Sequence, residues 1–282
     1  MKKIILTLIP VLFVFGCQEV ININLQEGPE RLVIEGRIEK IKGAEIGYQS
    51  IMLTKTDDYF SNTTTPRVRG AKVTVTDNHG NAVIFTESVN NPGLYETDNL
   101  FARIGVTYTL HIEYAGDIYE GSETLQSVAP IDSIYQYFVE EDLFNEKGIR
   151  VRIDFTDPSD ENNYYYWQQF RDGKTLLNPD PGTRWTIVSS DDFFNGQRIW
   201  GREPNDQLIY ESGQVAKVRQ HSISKSQYDF MFLLYDQATG GGPYDSPPVP
   251  IRGNVQNLTN PDKYPLGYFG AGEVDERELV IQ

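Results

Sequence analysis

The clearest candidate for chemistry in this sequence is Cys17, close to the start of the chain. Val14, Phe15 and Gly16 precede it. An aliphatic residue, a tolerant position and a small residue before a cysteine are typical of the site where a secreted precursor is cleaved and the cysteine is acylated. Cys17 is also the only cysteine in the 282 residues, so it has no disulfide partner within the chain. The pattern predicts lipid attachment at Cys17.

Residues 1–16 are predicted to form the signal peptide that this cleavage removes. Lys2 and Lys3 are followed by an apolar run of about twelve residues, which is shorter than the ~20 residues that a membrane-spanning helix needs. The polar and acidic segment 17–30 is predicted to be the lipidated tether. An ordinary secretory signal that happens to end in cysteine is the alternative interpretation.

Aromatic side chains form a second group of interest. Phe193 and Phe194 lie side by side in the polar segment DDFFNG, between two tryptophans. Exposed aromatic side chains are typical anchors at protein interfaces, whereas buried ones would fasten such a loop to the underlying sheet. We therefore treat five residues as a candidate contact loop for a partner or ligand, with the inward-folded loop as the alternative: Trp185, Phe193, Phe194, Asn195 and Trp200.

Few residues are spaced to bind a metal ion. Asp157, Asp160 and Asn162 place oxygen ligands close together, but they lack the Asp-x-Asp-x-Asp-Gly spacing of a calcium-binding EF-hand loop. A solvated turn is the expected structure there, and a metal site at this trio is the alternative. No metal site and no cofactor are predicted.

Catalytic motifs are also missing from the sequence. His79, His111 and His221 are isolated from one another and from Cys17, so neither a zinc motif nor a Cys-His nucleophile is indicated. No GxSxG, P-loop or GxGxxG segment stands at a predicted strand-to-helix junction. The chain is therefore not predicted to be an enzyme. Its many carboxylates leave one alternative open, a hydrolase that uses a carboxylate pair in the second half.

The composition limits the possible partners. Acidic residues outnumber basic ones by 40 to 25, which gives a net charge of −15 at pH 7. A charge of this sign repels phosphate backbones, so no nucleic-acid partner is predicted. Apolar residues make up 39% of the chain and aromatic residues 12%, which is enough for a folded core. Frequent Gly and Pro residues are typical of β proteins.

The alternation of apolar and polar residues predicts the elements that position these groups. Between residues 31 and 127, six or seven short runs have β-branched or aromatic side chains at every second position, separated by Gly, Asn, Asp or Pro. Turns at 77–81 and 114–118 are predicted to close hairpins. This pattern predicts a β-sandwich domain over residues 31–127.

Residues 128–282 are predicted to form a second β-rich domain. The alternation continues there, with a hairpin turn expected at 171–174. One amphipathic helix is predicted near 224–239, where Ser224 and Gln227 provide a capping box. Four apolar side chains fall on one face of that helix: Tyr228, Met231, Phe232 and Tyr235.

Over nearly its whole length the chain resembles the Bacteroidota lipoproteins grouped as domain-of-unknown-function family 4249. The resemblance consists of an ordered set of segments: LVIEGRI, GAKVTVTD, PGLYET, YTLHIEY, DFTDP, DDFFNG and the ending that runs from 253 to 269. The N-terminal half is separately similar to transthyretin-like or carboxypeptidase-regulatory modules, which are structural or binding units. These resemblances imply a mainly β chain, with an Ig-like or transthyretin-like sandwich followed by a β-rich domain that contains one helix.

Members of that family are typically encoded beside TonB-dependent outer-membrane receptors. The resemblance therefore implies a lipoprotein that is anchored through Cys17 to the outer membrane of a Gram-negative bacterium and faces the periplasm or the outside. Its implied function is that of a non-catalytic accessory, which binds ligand or receptor during nutrient capture or transport. The alternatives are a hydrolase of the cell envelope and a structural or adhesive surface protein.

Overall fold

The computed structural model describes residues 28–57, 65–143, 145–175, 187–239 and 251–282. The predicted signal peptide, Cys17, most of the tether and Trp185 lie outside these residues. No helix in the described ranges is long and apolar enough to cross a membrane.

The described part of the chain is mainly β, as predicted. It contains sixteen strands, one α-helix and one turn of 3-10 helix at Pro261–Lys263. The helix, α1, covers Lys225–Thr239. The strands are β1 (Leu32–Ile41), β2 (Gln49–Lys55), β3 (Lys72–Asp77), β4 (Ala82–Glu87), β5 (Leu94–Thr97), β6 (Thr107–Tyr114), β7 (Asp117–Thr124), β8 (Ile131–Val139), β9 (Gly148–Thr156), β10 (Tyr164–Arg171), β11 (Lys174–Thr175), β12 (Val188–Ser190), β13 (Arg198–Arg202), β14 (Val215–Ser222), β15 (Gln256–Asn257) and β16 (Leu266–Val280).

The first seven strands enclose one hydrophobic core. Strands β1, β2 and β5 form one layer, strands β3, β6 and β7 form the other, and β4 pairs with both β5 and β3. Ile34 and Ile51 from the first layer lie in the same buried cluster as Val73 and Leu110 from the second. Two layers over a shared core are the arrangement that the alternating pattern predicts for this half of the chain.

Tight turns join these strands where the sequence predicts them. In the turn at 77–81, the Asp77 carboxylate accepts hydrogen bonds from the backbone N–H groups of His79 and Asn81. Gly80 adopts a φ of 88°, a conformation that costs glycine little because it lacks a Cβ. The turn geometry therefore fixes the register of the β3–β4 hairpin.

The last strand joins the two halves of the molecule. Strand β16 pairs in parallel with β1 over its first half and antiparallel with β14 over its second half. As a result, Phe269 and Ala271 of β16 lie in the core of the first seven strands, together with Val255, which directly precedes β15. Part of the predicted second domain, residues 128–282, therefore contributes to the first core, because β1 pairs with β2 on one edge and with β16 on the other. The division into two domains stays a prediction.

A second core lies between two layers of the C-terminal half. One layer is the three-stranded sheet ordered β13-β9-β8, and the other consists of β10 and β14 in the large sheet. Ile153 and Phe155 of β9 pack with Tyr165 and Trp167 of β10 and with Val218 of β14. The side chains at alternate positions of β14 point away from this core, onto the outer face of the large sheet.

Helix α1 begins where the sequence predicts. The backbone N–H of Gln227 donates to Ser224 Oγ over 3.1 Å, so Ser224 is the N-cap residue. The Gln227 side chain accepts a hydrogen bond from Arg37 over 2.9 Å instead of returning to the N-cap. The Tyr228 ring packs on Tyr164 of β10, with 5.3 Å between ring centroids. The helix therefore covers part of the outer face of the large sheet.

Candidate functional site

The predicted contact loop forms a compact turn between β12 and β13, which we call the aromatic turn (residues 191–196). The Phe194 N–H donates to the Asp191 carbonyl over 2.7 Å, and the Gln197 N–H donates to the Phe194 carbonyl over 2.8 Å. The Asp157 N–H then donates to the Gln197 carbonyl over 3.0 Å. These backbone hydrogen bonds fold the turn tightly and attach it to the end of β9.

Two buried carboxylates hold the aromatic turn from below. Asp191 Oδ2 accepts the backbone N–H of Asn163 over 2.7 Å. Asp157 accepts the Gly196 N–H over 3.0 Å and also the Tyr165 hydroxyl. Burial raises the pKa of Asp157, although the hydrogen bonds from Tyr165 and Gly196 oppose the shift. Because both carboxylates are buried and engaged by the protein, they fasten the turn and are not presented to a substrate.

The two phenylalanines of the turn have opposite environments. Phe194 points inward, where its ring centroid lies 6.3 Å from those of Phe155 and Tyr165, and it packs against the second core. Phe193 points outward and is 93% exposed. The inner ring therefore fastens the turn and the outer ring is displayed to solvent, while contact of the loop with a partner or ligand stays a prediction.

The remaining residues of the predicted loop flank this displayed ring. Asn195 is exposed at the end of the turn, and Trp200 on β13 is 67% exposed. The Arg198 guanidinium lies 4.0 Å from the centroid of the Trp200 ring, which is a cation–π contact. Trp185 lies outside the described residues. The segment from Phe193 to Trp200 thus presents two aromatic rings and an arginine to solvent.

The three residues of the alternative metal site differ in their exposure to solvent. Asp157 is buried under the aromatic turn, whereas Asp160 and Asn162 are exposed. Within the described ranges, no group of three or more His, Cys, Asp or Glu side chains is arranged to hold a metal ion. Asp157 uses both carboxylate oxygens to accept hydrogen bonds from the protein, so its role here is structural.

A second polar region lies on the outer face of the large sheet, and we call it the charged ladder. Its members come from β1, β14 and β16: Arg37, Glu39, Lys217, Arg219, His221 and Glu276. Arg219 lies 2.6 Å from Glu39 and 3.3 Å from Glu276. Lys217 lies 2.9 Å from Glu276. These contacts form a continuous series of ion pairs across three adjacent strands.

Arg37 extends from this ladder beneath helix α1. It donates to the Gln227 side chain of the helix and to the backbone carbonyl of Ser222. Gly272 of β16 leaves space for the guanidinium, because a Cβ added there would collide with Arg37 and with the Ser222 carbonyl. Burial lowers the pKa of Arg37, and the nearby Glu39 carboxylate opposes that shift. The helix is therefore attached to the sheet through a buried cation.

Glu39 and His221 are both deprotonated at pH 7, which leaves Glu39 charged and His221 neutral. Burial alone would raise the pKa of Glu39, but the neighbouring His221 and the two arginines of the ladder outweigh it and lower that pKa below its usual range. Burial lowers the pKa of His221 to about 4. Its Nε2 lies 3.0 Å from Gln168 Oε1, and its Nδ1 lies 3.4 Å from the Glu39 carboxylate without hydrogen-bond alignment. Glu39 stays charged and His221 neutral at pH 7, so neither suits proton transfer.

The charged ladder is not among the sites that the sequence predicts. A local signal for it exists, since Lys217, Arg219 and His221 occupy every second position of one strand, while Glu276 and Glu278 do so on another. Period-two charges predict only an exposed face for each strand. The ion pairs form only because β14 pairs with β16 in this particular register. A local sequence pattern does not predict which strands pair or in which register.

Comparison with known proteins gives one family match. The sequence model of the family described as Domain of unknown function (DUF4249) matches residues 18–278, which is most of the chain. No curated protein matches the chain at a significant level.

Proposed function

We propose that this chain, which belongs to the DUF4249 family, is an outer-membrane lipoprotein of a Gram-negative bacterium and a non-catalytic accessory of a TonB-dependent receptor in nutrient uptake. We also propose that it contacts that receptor through the aromatic turn. The observation that supports this proposal most directly is the contrast within the turn, where Phe194 is packed inward and Phe193 is 93% exposed. A large ring displayed on a fastened turn is typical of an interface anchor.

The rigidity of the turn favours binding. Ordering a loop at an interface costs free energy, so a turn that is already ordered retains more of its contact energy as affinity. The hydrogen bonds to Asp157 and Asp191 and the packing of Phe194 provide this order before any partner arrives. Tryptophan and arginine are enriched among the residues that dominate binding energy, and Trp200 and Arg198 lie just beyond the turn.

Membrane attachment is proposed through Cys17. The family match begins at residue 18, directly after the predicted acylation site, which agrees with a mature chain that starts there. The segment from Cys17 to the first strand at Leu32 has a maximum reach of about 50 Å at ~3.3 Å per residue. A tether of this length would allow the body to reach a receptor in the same membrane.

The burial and the bonding partners of Asp157 and Glu39 agree with a binding role. A hydrolase of the carboxylate type needs one acid with a raised pKa and one ionised partner at a shared cleft. Asp157 has a raised pKa but is covered by the aromatic turn. Glu39 is ionised but is held between cations of the charged ladder. The protein itself occupies these carboxylates with hydrogen bonds and ion pairs, which favours the non-catalytic role over the hydrolase alternative.

The test is affinity purification of tagged full-length protein from outer membranes extracted in mild detergent. Phe193→Ala is compared with Val89→Ala, which changes an apolar residue of similar exposure, 92%, in the first half of the chain. We expect a TonB-dependent receptor to copurify with the wild type and Val89→Ala, and its yield to fall about tenfold with Phe193→Ala, as for an interface anchor. Recovery of the wild type without a receptor would contradict the accessory role. Equal recovery with both variants would contradict the role of the turn.

A further inference from the structure

A trough lies on the outer face of the large sheet, away from the aromatic turn. It has a volume of about 630 Å³ and runs over strands β14, β16, β1 and β2. Lys217, Arg219, Glu276 and Glu278 form its floor, and Ile46 and Tyr48 line one side. This volume falls within the roughly 300–1,000 Å³ of small-molecule sites. We propose that the trough binds a neutral, hydroxyl-rich ligand of the oligosaccharide class.

The floor has balanced charges. Lys217 lies 2.9 Å from Glu276 and 3.6 Å from Glu278, and Arg219 lies between Glu276 and Glu39. Each cation therefore has two carboxylate partners within the protein. A ligand with net charge would have to compete with these pairs, since neither sign of charge is in excess. A neutral ligand can add hydrogen bonds to the same groups without separating them.

One wall of the trough is apolar and held in place. Ile46 is 45% exposed and Tyr48 is 48% exposed, on either side of the buried Gly47. A Cβ added to Gly47 would collide with the backbone carbonyl of Asp98, so glycine is needed for this close approach. The Tyr48 hydroxyl donates to Glu96 over 3.0 Å, which fixes the ring. The wall thus offers a positioned aromatic surface beside a charged floor.

Oligosaccharides match this combination of surfaces. Each sugar hydroxyl both donates and accepts a hydrogen bond, so it can donate to Glu276 or Glu278 and accept from Lys217. The C–H face of a sugar ring is apolar and can lie on an aromatic ring such as Tyr48. The trough and the aromatic turn share no residue, so this inference does not depend on contact with a receptor.

Isothermal titration calorimetry on the purified full-length protein tests the inference. The neutral probes are maltohexaose, cellohexaose, xylohexaose and laminarihexaose, and the charged probes are trigalacturonate and chitosan hexamer. We expect at least one neutral probe to bind with a Kd of about 1 mM or tighter. We expect both charged probes to bind more weakly than that neutral probe.

Variants locate the binding at the trough. Tyr48→Ala is expected to weaken binding of the neutral probe roughly fivefold. Tyr135→Ala is the matched control, because it removes a partly exposed tyrosine from a different sheet. Thermal unfolding checks each variant, and Ile46→Ser on the same wall replaces Tyr48→Ala if the latter does not fold.

Three results would overturn the inference. The first is that none of the four neutral oligosaccharides binds. The second is that a charged probe binds more tightly than every neutral one. The third is that Tyr48→Ala and Tyr135→Ala reduce the affinity equally, which would place the binding site outside the trough.

Discussion

The aromatic turn and the charged ladder are assembled in opposite ways. The turn consists of six successive residues, 191–196, and local hydrogen bonds give it its shape. The ladder combines side chains from β1, β14 and β16, which lie far apart in the sequence and meet only in the finished sheet. The turn exposes an apolar ring to water, whereas the charged side chains of the ladder are largely shielded from water.

Because of this difference, substitutions in the turn should affect binding, and substitutions in the ladder should affect stability. Phe193 makes little contact with the rest of the fold, so its removal should change binding and leave stability unchanged. Glu39 and its partners are largely buried, so their removal should change stability strongly, because an unpaired charge would remain in a poorly solvated place. Substitutions in each region therefore test this contrast.

The largest expected effect follows from removing the central carboxylate of the ladder. Glu39→Gln leaves Arg37 and Arg219 without their shared partner, and we expect the free energy of unfolding to fall by about 3–4 kcal/mol. Glu113→Gln is the control, because it breaks the exposed Glu113–Lys72 pair of 2.6 Å and should lower the free energy of unfolding far less. Urea denaturation measures both. Equal decreases in the free energy of unfolding would show that the ion pairs of the ladder contribute no more than exposed ones.

The second prediction concerns pH. The pKa of His221 is about 4 in the folded protein against 6.5 for an ordinary histidine, so folding disfavours its protonation. Its contribution is complete above pH 6.5 and is lost as the pH falls toward 4. The loss amounts to about 3 kcal/mol at ~1.4 kcal/mol per pKa unit.

The measurement compares the wild type with His221→Gln. Free energies of unfolding are determined in urea at pH 7 and at pH 4. We expect the wild type to lose about 3 kcal/mol more than the variant over this interval, because the variant has no imidazole to protonate. A loss of the same size in both proteins would mean that His221 does not titrate abnormally.

A smaller effect should distinguish the two rings of the aromatic turn. Phe194→Ala removes a ring that packs on Phe155 and Tyr165, and we expect a loss of about 2–3 kcal/mol for this partly buried side chain. Phe193→Ala should change stability by less than about 0.5 kcal/mol. Thermal and urea unfolding give both values. A strong destabilisation by Phe193→Ala would show that this ring also serves the fold.

Local elements were predictable from the sequence because their causes are local. Period-two alternation identified the strands, and the turn at 77–81 was predicted from its Asn, Asp and Gly residues. The helix predicted near 224–239 is observed at Lys225–Thr239, since both its cap and its apolar stripe are sequence features. The aromatic turn was predicted as a candidate contact, but the sequence did not determine which ring faces outward. That choice depends on Phe155 and Tyr165, which reach the turn only through tertiary packing.

Long-range pairing was not predictable in the same way. The parallel pairing of β1 with β16 joins segments more than two hundred residues apart, and the alternating pattern is identical for any partner strand. For this reason the sequence does not indicate that Val255, Phe269 and Ala271 belong to the core of the first seven strands. The charged ladder is not predictable for the same reason, because Glu39, Arg219 and Glu276 become neighbours only when β16 pairs with both β1 and β14.

Site-specific photo-crosslinking tests the proposed contact most directly. A photo-reactive amino acid is placed at Phe193 or, as a control of similar exposure, at Val89, and intact cells are irradiated before extraction. The proposal predicts a covalent adduct with a TonB-dependent receptor from position 193 and none from position 89. Adducts of equal yield from both positions, or none from position 193, would contradict the claim that the aromatic turn binds the receptor.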